Sequence, residues 1–208
     1  VFFLELTGEA MPGSAPQHAM ESLFMSVTAR TAGFNTAPIG QLTNGALLIV
    51  ILLMVIGGSP GSTAGGIKTT TLAALYALVT SRIRNRPKIE LLGRSIPSDV
   101  VAKALLTASG AITMIVGGVL ALQVTELYGL PHGSHRGDFL AYLFEVVSAF
   151  GTVGLSTGVT ASLSTAGKCV IIVCMFVGRL GPLVIANSLI GAQKRADYTY
   201  PEEQLIVG

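Results

Sequence analysis

Charge is what this chain has least of. Asp, Glu, Lys and Arg make up 12% of its 208 residues, about half the share of an ordinary soluble domain. Half the residues are apolar, and the mean hydropathy is +0.67. That balance excludes a water-soluble surface of normal extent and points to an integral membrane protein with about four to six apolar segments. The net charge of +2 gives no basis for nucleic-acid binding. Cysteine is scarce too: Cys169 and Cys174 sit in one apolar run, face different sides of a helix, and read as inert filling. Paired carboxylates and a nucleophile–base set are missing, so enzymatic chemistry is not expected. His132 and His135 have His-x-x-His spacing without a third ligand, which argues against a metal. There is no initiator Met or charged leader either. Val1-Phe2-Phe3-Leu4 reads as the tail of an apolar helix, and the expectation is the C-terminal part of something longer.

What the chain does have is a repetition. Thr31-Ala32-Gly33-Phe34-Asn35-Thr36 returns 121 positions later as Thr152-Val153-Gly154-Leu155-Ser156-Thr157. The same offset pairs Leu42 with Leu163, Met54 with Met175 and Gly57 with Gly178. Each hexamer follows a short helix-compatible segment (residues 18–30 and 139–150) and precedes a long apolar run (45–56 and 164–193). A duplicated unit of that shape predicts two re-entrant hairpins. Residues 37–40 form a turn after the first. Residues 57–66, with Gly57, Gly58, Gly61, Gly65 and Gly66, are hostile to a regular helix. Helical patterns resume over 67–81 and 99–126, and 127–138 is a polar loop.

Lys and Arg orient the segments. Arg82, Arg84, Arg86, Lys88 and Arg94, with Lys103 beyond, place that region in the cytoplasm, as do Lys194 and Arg195. The 127–138 loop, with Arg136 alone, faces outward, so both hairpins open from outside. Reading the basic segment as a patch for anionic lipid puts it on the same side.

A dehydrated alkali cation needs oxygens in place of its water, and backbone carbonyls turned toward an axis supply them. Such backbone is tolerated at membrane depth only where it lines a cavity. The mid-hexamer Gly permits the dihedrals required, and the flanking hydroxyls can brace the loop.

Four motifs in order resemble the membrane subunits of the Trk/Ktr/HKT superfamily of potassium transporters. Residues 28–36 resemble the third filter of that family and residues 148–157 its fourth. Gly57-Gly58 through Gly65-Gly66-Ile67-Lys68 is similar to the loop interrupting a helix of the third repeat. Gly178-Arg179-Leu180-Gly181-Pro182-Leu183 matches its final-helix motif, and Tyr200-Pro201-Glu202-Glu203 its tail.

The resemblance implies an all-α polytopic membrane protein of helix, pore helix, filter loop and helix. The third repeat would span residues 1–84, its first helix truncated, a cytoplasmic linker 85–98, the fourth repeat 99–193, and a cytoplasmic tail 194–208. K+ would be the transported ion, held by carbonyls of Thr31, Ala32, Gly33, Thr152, Val153 and Gly154, the filter extending through Phe34, Asn35, Leu155 and Ser156. No bound organic cofactor is expected. The resemblance also implies a bacterial inner membrane, a homodimer, a cytosolic ring of nucleotide-binding regulatory subunits, and two N-terminal repeats missing from this chain. The alternative within the same superfamily is a Na+-permeable member.

The gate is expected in residues 57–66, with Lys68 and Arg179. Arg179 is a cation within an apolar helix, costly unless it faces water or carbonyls. It is expected to raise an electrostatic barrier and hold the loop; a structural partnership with Glu145 is the competing reading. Lys68 either caps the loop or snorkels to the cytoplasmic surface, the second being preferred. Arg30 and Glu145, in the short helices, have partners that spacing does not reveal. A P-loop is the rival for 57–66, but Ile67 separates Gly66 from Lys68 where that motif needs them adjacent.

Overall fold

The structure, a computed structural model, describes residues 15–36, 38–62, 64–86, 88–127 and 138–181. In chain order the elements are α1 (Ala15–Thr28), a 3-10 turn (Ile39–Gln41), α2 (Asn44–Val55), α3 (Thr69–Ile83), β1 (Glu90–Leu91), β2 (Arg94–Ser95), α4 (Ser98–Leu127), α5 (Asp138–Gly151), α6 (Val159–Ser162) and α7 (Thr165–Leu180). The expected helices fall within a few residues of these bounds. The last expected crossing is described only as far as Gly181; its remainder, the outer loop with His132, His135 and Arg136, and the tail with Lys194 and Arg195 lie outside the described residues.

Local chemistry sets the helix ends. The Thr43 side chain accepts the Ala46 N–H and starts α2, and the Ser164 side chain accepts the Gly167 N–H and starts α7. Those two caps stand 121 positions apart, so the repetition extends to the way its exit helices begin. Gly57 and Gly58 follow α2 and stop it. The linker folds into a two-strand hairpin, Glu90 opposite Ser95, turned by Leu92 and Gly93 at positive φ. Arg86 pairs with Glu90 at 2.7 Å across its base.

The core is built around α5, which is buried from Phe144 to Gly151. Its apolar residues pack inward on several sides, and its buried Glu145 and Ser148 are hydrogen-bonded. One side of α5 packs Phe144 and Val147 against Ala46, Val50 and Met54 of α2. Another packs Val146 and Ala149 against Val119 and Leu122 of α4 and Ile171 and Cys174 of α7. Among the described residues α4 is the one helix long and apolar enough to cross a membrane. Its outer stripe, Leu106, Ile112, Val116, Leu120 and Val124, is exposed, the pattern of a surface facing lipid.

Candidate functional site

Both hexamers leave their short helices by the same bend. Thr31 and Thr152 have φ of 70° and 52°, and Gly33 and Gly154 have 74° and 90°. Handedness thus switches at alternate residues, which lets successive carbonyls turn to one side instead of alternating as in a strand. A β-branched residue at positive φ is strained, and here two occupy matching positions. Gly is needed at the second position for space as well as for φ. A Cβ on Gly33 would overlap the Val153 carbonyl oxygen and lie 3.6 Å from the Gly154 Cα. The two bends therefore touch backbone to backbone.

Each bend is tied to its own helix by a hydroxyl. Thr28 Oγ1 donates to the Phe34 carbonyl at 2.6 Å, and Ser148 Oγ donates to the Leu155 carbonyl at 2.6 Å. The Phe34 and Leu155 carbonyls are thereby tied back to the short helices. The tether residues were missed from sequence, although a hydroxyl in the last turn of both short helices was a visible signal. Asn35 and the Phe34 side chain are exposed, whereas Val153 and Leu155 are buried. The second bend is the more enclosed.

The Gly-rich loop closes on itself and then on the second bend. Gly57 N–H donates to Ile67 O at 2.9 Å, and Ile67 N–H donates to Val55 O at 3.2 Å, so the chain returns beside its own departure. Gly65 N–H donates to Thr152 Oγ1 at 2.9 Å. A Cβ on Gly65 would lie 2.7 Å from the Thr152 side chain and 3.0 Å from the Gly178 carbonyl. Loop, second bend and last helix thus meet at one point. Gly57, Gly65 and Gly66 are buried there; Gly58 is half-buried and Gly61 exposed.

Lys68 corrects the expectation of snorkelling. Its Nζ donates to Ala64 O at 2.7 Å and to Ser62 O at 3.2 Å, so it caps the loop. Loop carbonyls left without helix partners within reach of the ammonium hold it there, in preference to the aqueous surface. A nucleotide loop loses its context as well, since residues 57–66 follow a helix and the Lys is engaged by the loop itself.

A cavity of about 490 Å³ lies beside the second bend and is lined by Thr152, Gly154, Ser156, Glu145, Met175 and Arg179, among others. Arg179 follows Gly178 on α7 and so stands next to the Gly65 junction. Glu145 is buried, and its carboxylate accepts from Ser156, Thr157 and Thr160, with no contact to Arg179 needed to satisfy it. Arg30 is exposed at the end of α1. Among the described residues no group of three or more His, Cys, Asp or Glu could hold a metal.

A family model described as cation transport protein, TrkH, matches residues 1–193. The Ktr system potassium uptake protein B of Bacillus subtilis is 37% identical over 212 residues, covering the whole of this chain and 45% of that protein. The Ktr system potassium uptake protein D of the same organism is 40% identical over 90% of this chain and 40% of its own length. The potassium/sodium uptake protein NtpJ of Enterococcus hirae is 38% identical over 94% of this chain and 43% of its own. Among solved structures, the potassium transporter TrkH of Vibrio parahaemolyticus superposes with a TM-score of 0.68 at 23% identity, over 91% of this chain and 40% of that one. The chain therefore spans less than half the length of these relatives. Its fold is that of an all-α membrane transporter, and its relatives are named for ion transport, none for enzymatic activity. Together with the paired bends, the matched model places this chain in the TrkH family of cation transport proteins.

Proposed function

We propose that this chain forms two of the units lining the conduction path of a K+ uptake transporter, with residues 1–84 and 99–193 as successive units joined by a cytoplasmic linker. The observation carrying the reading is the backbone contact of Gly33 with Val153 and Gly154. Two bends with the same switch of handedness stand side by side, as oxygens replacing a hydration shell require. The carbonyls at Thr31, Ala32, Gly33, Thr152, Val153 and Gly154 hold the ion. Residues 57–66, bound to Thr152 and capped by Lys68, form the gate, and Arg179 raises its electrostatic barrier.

Two bends enclose half a ring, and further hairpins from a longer polypeptide complete it. Ile51 and Met54 of α2, covered by α5, are 4% and 0% exposed, whereas their offset partners Ile172 and Met175 on α7 are 62% and 47% exposed. The bare positions on α7 match those that a short helix covers on α2, which supports a further hairpin there. The transporter sits in a bacterial inner membrane as a homodimer on a cytosolic nucleotide-binding ring; the multi-subunit name of the Ktr relatives supports a partner of that kind.

Rb+ and K+ uptake into liposomes bearing the intact protein tests the reading. Uptake above that of empty liposomes is expected, with loss on Gly33→Ser or Gly154→Ser; no flux of any alkali cation overturns it. A second reading, permeability to Na+ as well, is favoured by the similarity to a potassium/sodium uptake protein, and Na+ flux in the same liposomes decides it.

A further inference from the structure

Glu145 is a charged residue type placed at the centre of the most buried helix, 4% exposed. Its position explains the choice. Oε1 accepts from Ser156 Oγ at 2.8 Å, from Thr157 N–H at 2.9 Å and from Thr157 Oγ1 at 2.9 Å. Oε2 accepts from Thr160 Oγ1 at 2.5 Å. Ser156 Oγ in turn accepts from Gly158 N–H at 2.9 Å. One carboxylate thus gathers the whole outer limb of the second bend, and both of its oxygens are engaged by neutral donors. Four hydrogen bonds from three residues converge on this one side chain, so the limb is held at several points at once.

The knot reaches the other bend as well. The Thr157 carbonyl lies 2.8 Å from where a Cβ on Gly40 would stand, beyond the first hexamer. On the inner side the bends are spaced by Gly33 against Val153; on the outer side they are spaced by Gly40 against Thr157, which Glu145 holds. Subtracting the 121 offset puts Phe24 at the matching place in α1, where it is 36% exposed. The device exists in one bend and serves both.

We propose that Glu145 is the positioning residue of the filter: it touches no ion, but fixes the outer limb of the second bend and through Thr157 the separation of the two. This rests on the transport reading above. Coordination of a dehydrated ion depends on oxygen spacing, so loosening the limb weakens ion binding at the filter before it alters the rest of the membrane fold.

The test is the concentration dependence of K+ uptake by the intact protein, normalised to the amount inserted. E145A removes all four hydrogen bonds and is expected to raise KM for K+ at least about tenfold with Vmax within about threefold of wild type, since each bond to a charged acceptor is worth a large fraction of a tenfold factor or more. E145Q keeps an acceptor oxygen for Ser156 and Thr157 and offers an amide donor to Thr160, whose hydroxyl can accept; its KM is expected to stay within about threefold. An unchanged KM in inserted E145A overturns the proposal. So does E145Q as impaired as E145A, because charge and not hydrogen bonding would then be the contribution. If E145A fails to insert, the double variant S156A/T160V carries the test: a KM raised by at least about threefold is expected, and an unchanged one overturns it. Absence of alkali-cation uptake by the wild type would instead strike the transport reading itself.

Discussion

Gly65 donates its N–H to the Thr152 hydroxyl at 2.9 Å. The residue that opens the second bend is therefore also the anchor of the Gly-rich loop, so the proposed filter and gate are mechanically joined. Thr152 holds this place at a φ of 52°, a conformation costly for a β-branched residue.

Thr152→Val removes the acceptor with little change of shape. It leaves the Gly65 N–H unpaired, which costs about 1–3 kcal/mol of the closed arrangement. Cation flux is expected to rise by roughly a factor of ten, since each 1.36 kcal/mol is a factor of ten. Thr152→Ser keeps the hydroxyl and should stay near wild type. Rb+ uptake into liposomes checks both.

Arg179→Gln removes a positive charge beside the Gly65 junction while keeping much of the side-chain length. Flux is expected to increase. Unchanged or lower flux in correctly inserted protein would count against a barrier at this position.

Lys68→Met deletes the donor that binds Ser62 O and Ala64 O. The loop then loses its cap while the apolar stem remains. Faster amide hydrogen exchange is expected at residues 61–66, with α2 and α4 unchanged; equal exchange would show that the loop holds its shape without the ammonium.

Two helix glycines should respond in opposite ways to Ala. At Gly178 a Cβ would overlap the Phe150 carbonyl, so Gly178→Ala must force α7 off α5 at a cost of about 1–3 kcal/mol. At Gly117 a Cβ meets nothing within 4 Å, so Gly117→Ala gains helix propensity of up to about 1 kcal/mol. Thermal unfolding in detergent should move down for the first and stay level or rise for the second.

Much of this arrangement was legible in the sequence because it is carried by repetition and by glycine. The offset between the hexamers, the short and long helices, and the break at 57–66 are one-dimensional patterns. Lys68 and Glu145 were harder. Their partners lie 4–6 and 11–15 residues away across a loop or a reversal, and residue spacing alone does not say which way such a bend faces. The Ser and Thr cluster at 156, 157 and 160 was a signal that a buried acceptor stood nearby. The linker hairpin escaped because two residues per strand leave no alternation to read, and its Leu92-Gly93 turn is a weak cue. The four-residue α6 is too short for any periodicity.

The matched caps at Thr43 and Ser164 have an effect on what mutation can accomplish here. They start α2 and α7 at equivalent points, yet α2 ends at Val55 and leaves Gly58 in the loop, whereas α7 runs to Leu180 and carries Arg179 on the helix. A side chain at Gly58 would come within 3 Å of Ser62 and Ala64, so the first copy takes no residue like Arg179 without moving its loop. One shared beginning thus leads to two different ends, and the copy whose helix continues is the one that accommodates a charge.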